Sequence, residues 1–240
     1  MIKKNVLIFG KGKWGKILIR ELRTISNILR IEDSKTNLKK INLNNIDWVF
    51  VITPNNTHYK LVNFFLQKNK NVFCEKPLTL SSKQTQKLIT NATKKKCKLY
   101  ISDVENYKNK KIKQTNKFYI KRKKRGCDNQ KGILYRLTYH DFYLLKKFMT
   151  PLNQIKIKKE YLKNKLFMNI KKNNLEINFE YDLDCNKKIH KINNYDFRIF
   201  RGNPLRRMLN NVLSGKANFV ENNKQGLFCN KMIEKILSAS

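Results

Sequence analysis

Three clusters of residues in this 240-residue chain have types and spacing that suit chemistry. The first is Gly10-Lys11-Gly12-Lys13-Trp14-Gly15. It follows the apolar run Val6-Leu7-Ile8-Phe9 and opens an amphipathic stretch. In that setting the first glycine allows a tight turn, the second lets backbone approach a pyrophosphate, and the third lets a helix pack on the strand. The phosphate then meets the free N–H groups and dipole of a helix N-terminus, and Lys11 and Lys13 add positive charge. An acidic residue is expected about 20 residues further on, to bind ribose hydroxyls. Asp33 falls near that distance, with Glu32 as its competitor, and either favours NAD over NADP. Ser34 and Lys35 follow at once and could hold a 2′-phosphate, so NAD and NADP both stay open. The second cluster, Glu75-Lys76-Pro77, ends another apolar run. The third centres on His140, one of three histidines in the chain.

The elements that must position these groups alternate regularly. Residues 4–9, 28–32, 47–52, 71–74 and 98–102 read as short apolar strands. Between them, helical spacing runs through 16–25 (Ile17, Leu18, Leu22, Ile25), 57–68 (Leu61, Phe64, Phe65) and 81–95, the last with Ser81 or Ser82 as N-cap. Strict β-α alternation over about 100 residues predicts a doubly wound parallel sheet, with ligands at the carboxyl ends of its strands. After about residue 115 the pattern changes. Strand-like segments at 117–123, 154–160, 164–171, 174–183 and 196–200 are separated by Asn/Lys-rich turns, with helices at 139–149, 204–214 and 225–238. The expected organisation is α/β. Residues 1–115 form a Rossmann domain, and 116–240 form a small α+β domain on a mostly antiparallel sheet, whose terminal helices are free to pack back on the first.

A further motif raises the specificity. Val51-Ile52-Thr53-Pro54-Asn55-Asn56-Thr57-His58 ends the third strand, and Cys74-Glu75-Lys76-Pro77-Leu78-Thr79 ends the fourth. With the glycine motif before them, this order resembles the glucose–fructose oxidoreductase, inositol dehydrogenase and rhizopine-catabolism (Gfo/Idh/MocA) family, strongly across 5–102 and more weakly to the C-terminus. The resemblance implies an NAD(P)-dependent oxidoreductase acting on a sugar, sugar acid or sugar nucleotide. It implies that Thr53, Pro54, Asn55, His58 and Glu75 serve the cofactor site along with Gly10, Lys11, Gly12, Lys13, Trp14, Gly15 and Asp33. Lys76 would sit near both nicotinamide and substrate and orient the reacting oxygen. The family also carries an aspartate four residues before a histidine. His140 matches the histidine, the implied general acid/base, but Arg136 occupies the aspartate position. Arginine cannot accept a proton, although it binds carboxylates and phosphates bidentately. The substitution therefore points either to an anionic substrate or to a catalytically degenerate regulatory or scaffold protein. Tyr107 and Lys108, after the fifth strand, fall where the family places substrate-facing residues. The chain is a short member.

Composition bounds the alternatives. Lys+Arg total 53 against 17 Asp+Glu, a formal charge of +36. Lys, Asn and Ile, all with AT-rich codons, are over-represented, so genome composition accounts for part of the excess. The densest runs, 94–96, 108–113 and 121–125, do not form one tract. General attraction of an anionic small molecule is expected, rather than specific nucleic-acid binding. Cys74, Cys97, Cys127, Cys185 and Cys229 are scattered without metal-ligand spacing, which suggests reduced thiols and no metal site. No run reaches the ~18 apolar residues of a membrane span, and the apolar N-terminal run is too short for a signal peptide. The expectation is a cytoplasmic protein, dimeric or tetrameric through the open sheet of its second domain.

Overall fold

The computed structural model describes residues 3–108, 111–125 and 130–239. Cys127, and Asn109 and Lys110 of the basic run at 108–113, lie outside them. The residues gather into two compact units. One is formed by 1–104 with 203–227, the other by 105–202 with 228–240.

In the first unit, strands β1 (Asn5–Phe9), β2 (Asn27–Glu32), β3 (Trp48–Val51), β4 (Asn71–Cys74) and β5 (Leu99–Ile101) form a wholly parallel sheet ordered β2-β1-β3-β4-β5. Helices α1 (Lys13–Ile25), α2 (Asn55–Gln67) and α3 (Ser82–Lys94) make the crossovers. Every residue of β3 is buried, which is why it reads as an unbroken apolar run: both faces of a parallel sheet are covered. Phe50 and Phe73 stack at 4.8 Å across β3 and β4, and Phe73 and Tyr100 at 5.9 Å across β4 and β5. The Ser81 hydroxyl caps α3 by accepting from the Gln84 amide. Helix α6 (Pro204–Leu213) and the first part of α7 (Phe219–Ser238) also belong to this unit. Helix α7 starts six residues before the expected 225 because the Asn218 side chain accepts from the Glu221 amide and caps it.

In the second unit, β6 (Lys117–Lys123), β7 (Lys156–Leu162), β8 (Lys165–Lys172), β9 (Leu175–Asp182), β10 (Ile189–Ile192) and β11 (Tyr195–Asp196) form a sheet ordered β11-β10-β6-β9-β8-β7. The β6–β9 pair is parallel and the others are antiparallel. Its inward residues include Phe118, Ile120, Leu166, Met168, Ile177 and Phe179, all buried. Helix α5 (Tyr139–Met149) packs there, Phe142 against Phe179 at 5.9 Å and Phe148 against Phe118 at 4.9 Å. The Asn/Lys-rich turns use left-handed backbone at Lys163, Asn173 and Asn193. Asparagine tolerates that conformation, which matches the twist of a two-residue hairpin.

The strand expected at 196–200 is not present. The chain instead makes the β10–β11 hairpin, and Arg198 turns back on Asp196, its amide donating to Oδ1 at 2.8 Å. The Arg198 guanidinium also donates to both carboxylate oxygens, and these side-chain bonds, ahead of the amide, hold the Asp196 carboxyl at about 2. The helical run around His140 also begins earlier than expected. Residues Gln130–Ile133 form a short helix, α4, and Leu134–Thr138 continue as a π-helical turn into α5.

Candidate dinucleotide site

The glycine loop joins β1 to α1, and two of its glycines lie hard against backbone. Gly10 has φ +109°, and a Cβ there would lie 2.3 Å from the Ile52 carbonyl oxygen. A Cβ on Gly15 would lie 2.3 Å from the oxygen of Gly10. Both positions therefore exclude a side chain. Gly12 differs, since a Cβ there would meet nothing within 4 Å. Its backbone faces open space at the N-cap of α1, and α1 has no side-chain cap to occupy its first amides.

That space is a cavity of ≈ 1320 Å³ at the carboxyl ends of β1 and β3. Gly10, Lys11, Gly12, Lys13, Trp14, Gly15, Asp33, Thr53 and Pro54 line it, all expected from the sequence. Ser34 is also in the wall, whereas Lys39 lines it in place of Lys35. The wall residues not foreseen include Thr36, Lys60 and Phe64. Asn56, Lys60 and Phe64 recur every four residues on one face of α2, and of these the sequence pattern marks only Phe64 as an inward residue of the helix. The lining carries four lysines, Lys11, Lys13, Lys39 and Lys60, and one carboxylate, Asp33, so the wall favours an anion.

Asp33 is held in place. Its Oδ2 lies 2.8 Å from Lys11 Nζ, and its Oδ1 accepts from the Lys35 amide at 3.0 Å. The hydrogen bond to Lys11 holds the Asp33 carboxyl below its usual range and lifts the Lys11 ammonium above its own. Glu32 is engaged separately, with Arg30 at 2.9 Å and the Thr36 hydroxyl at 2.8 Å.

The two later motifs meet through His58. Its ring is completely buried, with Nδ1 2.8 Å from the Pro77 carbonyl and Nε2 2.8 Å from the Thr53 carbonyl. It joins the β3 and β4 turns and is not among the residues lining the cavity. Asn55 likewise begins α2 without lining the wall, where its neighbour Asn56 does. Glu75 reaches the glycine loop, its Oε1 accepting from Trp14 Nε1 at 2.6 Å. Lys76 is half-buried beside it, its amide donating to Glu75 Oε2 at 3.2 Å. Cys74, before this motif, is fully buried, which pushes its thiol well above the ordinary range.

In the second unit, His140 lies in the first turn of α5, half-buried and directly after the π-helical turn. Such turns recur at functional sites. Arg136 lies within the π-helical turn on an exposed position, and Tyr107 ends a 3-10 turn at Val104–Tyr107, half-buried. Lys108 is engaged in structure: it pairs with Glu105 at 2.7 Å and donates to the Phe197 carbonyl. His190, read from the sequence as lying in a lysine-rich turn, is instead buried in β10. Its Nε2 lies 2.7 Å from Asp141 Oδ1. Asp141 also accepts from Arg122 at 3.2 Å and from the Tyr181 hydroxyl at 3.0 Å, and Arg122 reaches Glu105 at 3.4 Å. Burial raises the Asp141 carboxyl, but Arg122 and His190 outweigh it and hold it below its usual range. Among the described residues, no group of three His, Cys, Asp or Glu could hold a metal ion.

Residues 20–102 match the family described as the Gfo/Idh/MocA oxidoreductase family, NAD-binding Rossmann fold. This stretch of the first unit is similar to the Rossmann domain of that family. The match stops short of the glycine loop but includes Asp33, the β3 turn and Glu75-Lys76-Pro77. The fold as a whole is similar to UDP-N-acetylglucosamine 3-dehydrogenase from Acidithiobacillus ferrooxidans, with TM-score 0.80 at 14% identity, over 100% of this chain and 98% of that one. It is also similar to a myo-inositol dehydrogenase from Corynebacterium glutamicum, with TM-score 0.76 at 11% identity, over 100% and 97%. At these identities the likeness establishes the fold. In sequence, 52 residues are 40% identical to D-xylose 1-dehydrogenase (NADP+) of Hypocrea jecorina. They span 22% of this chain and 13% of that protein. The matched family is described as NAD-binding, and the open backbone at Gly12 beside a cationic wall fits a dinucleotide. Among the described residues, no helix is long and apolar enough to cross a membrane.

Proposed function

We propose that the chain is an NAD(P)-dependent oxidoreductase acting on a hydroxyl or carbonyl carbon of a sugar, sugar acid or sugar nucleotide. The observation that carries this reading is the cavity walled by the glycine loop, Asp33 and the β3 turn. The relatives' names add support, since they denote dehydrogenases of sugars, polyols and sugar nucleotides. Gly12 and the first-turn amides of α1 hold the pyrophosphate, and Asp33 and Ser34 lie at the adenosine-ribose end. The bound nicotinamide supplies or accepts a hydride. Lys76 orients the reacting oxygen and stabilises the charge that develops on it. Half-buried His140 is the general acid/base, and Arg136 binds an anionic group of the substrate.

Substitution Lys76→Ala tests the assignment. The expected result is unchanged NADH binding with turnover lower by about 10²-fold or more, the range of a lost electrostatic contact to a reacting oxygen. Turnover near the wild-type rate contradicts it. Arg136 in place of an aspartate favours a second reading, a cofactor-binding protein without turnover. A screen of sugars and sugar nucleotides that finds binding of NADH but no oxidation or reduction would favour that reading.

A further inference from the structure

Dinucleotide sites commonly reject a 2′-phosphate with a carboxylate at the end of the second strand, whose charge repels the phosphate and whose oxygens bind the ribose diol. Here that carboxylate is not bare. Both oxygens of Asp33 are engaged, Oδ2 by Lys11 Nζ at 2.8 Å and Oδ1 by the Lys35 amide at 3.0 Å. Glu32, the other acid at this strand end, is engaged by Arg30 and Thr36. The same stretch of wall carries Lys39 and the side chains of Ser34 and Thr36. The charge here is therefore neutral to positive.

Lys11 is the mobile part of this arrangement. Its side chain is 63% exposed and sits on the glycine loop, whereas Asp33 is 31% exposed and fixed by the backbone. A lysine is a point charge on a flexible stem that can move between two anions. Leaving Asp33 for a phosphate exchanges one charge-assisted contact for another. Without a phosphate, Asp33 can turn to a ribose diol by giving up an exposed ion pair, which is worth little.

We propose that the Lys11–Asp33 pair lets this site take dinucleotides with and without a 2′-phosphate, Lys11 being the residue that decides between them. The proposal rests on the dinucleotide reading of the cavity. Its test is titration of the full chain with NADH and with NADPH, followed by nicotinamide fluorescence at one ionic strength, for wild type, Lys11→Ala and Asp33→Asn. Circular dichroism checks that both variants fold. The wild type is expected to bind both within about tenfold of each other. Lys11→Ala should weaken NADPH by about tenfold or more and NADH by less than about threefold, and Asp33→Asn should shift the ratio by a similar factor toward NADPH. A wild type that binds NADH alone overturns the proposal. So does a Lys11→Ala variant that keeps the wild-type ratio, or one that weakens both equally, since Lys11 would then be a general phosphate contact. Binding of neither by the wild type overturns the dinucleotide reading itself.

Discussion

Gly12 and Gly15 lie three residues apart in one loop, yet the structure gives them opposite roles. A methyl group on Gly15 meets a backbone oxygen at 2.3 Å, so the helix or the turn must move. Gly15→Ala is expected to cost about 1–3 kcal/mol of stability, the range for an overpacked site, and to lower the melting temperature. A methyl group on Gly12 meets nothing. Gly12→Ala should melt within a few degrees of wild type but bind NADH much more weakly, because the methyl group occupies the space where the ligand's phosphates must come. Thermal melts with parallel NADH titrations separate the two, and a Gly12→Ala variant that binds normally would remove the pyrophosphate from that position. The glycine spacing was legible in the sequence because its function is steric. The Lys11–Asp33 pair was not, since a loop lysine among 53 basic residues carries no mark of its partner.

The parallel strands were legible because burial on both faces leaves an apolar run with sharp ends. Strand β5 shows what such a run hides: it is an edge, and Asn222 of α7 covers it. The Asn222 side chain accepts from the Ile101 amide at 2.8 Å and donates to the Ile101 carbonyl at 2.9 Å, as a neighbouring strand would. Asn222→Ala leaves both buried groups unpaired and should cost about 1–3 kcal/mol in chemical denaturation. Strand β10 escaped notice for a different reason. Its inward residues are His190 and Ile192, so a polar ring breaks the alternation that marks a half-buried strand. The same applies to Arg122 in β6, which looks like part of a solvated basic run yet faces Glu105 and Asp141. Pattern reading assigns charges to the surface, and this cluster is an exception sustained by pairing of opposite charges. Removing one partner leaves the others buried without compensation. Asp141→Asn is therefore expected to destabilise the second unit by about 3–5 kcal/mol, measured by urea denaturation. A loss below about 1 kcal/mol would mean the cluster is nearly neutral to stability.

Across the whole molecule, charge and acid response follow from the same groups. The +36 balance predicts general attraction of anions, weakening as salt screens it. Acid acts more specifically. The Asp141 carboxyl is held below its unfolded value of about 3.9, so its stabilising contribution is complete at neutral pH. That contribution is lost as pH falls through the folded value, when Arg122, His190 and Tyr181 lose their anionic partner. Asp196, held at about 2 by Arg198, acts in the same direction. Unfolding free energy followed by circular dichroism should fall steeply below about pH 4, and less steeply in Asp141→Asn. Whether the first unit is a working dinucleotide site is decided by titration with NADH at low and at physiological ionic strength. Saturable one-to-one binding that survives the higher salt is expected, because Gly12 and the helix amides supply contacts that screening does not remove. Absence of saturation, or binding that vanishes with modest salt, would contradict it and leave the surface charge as the explanation of any affinity for anions.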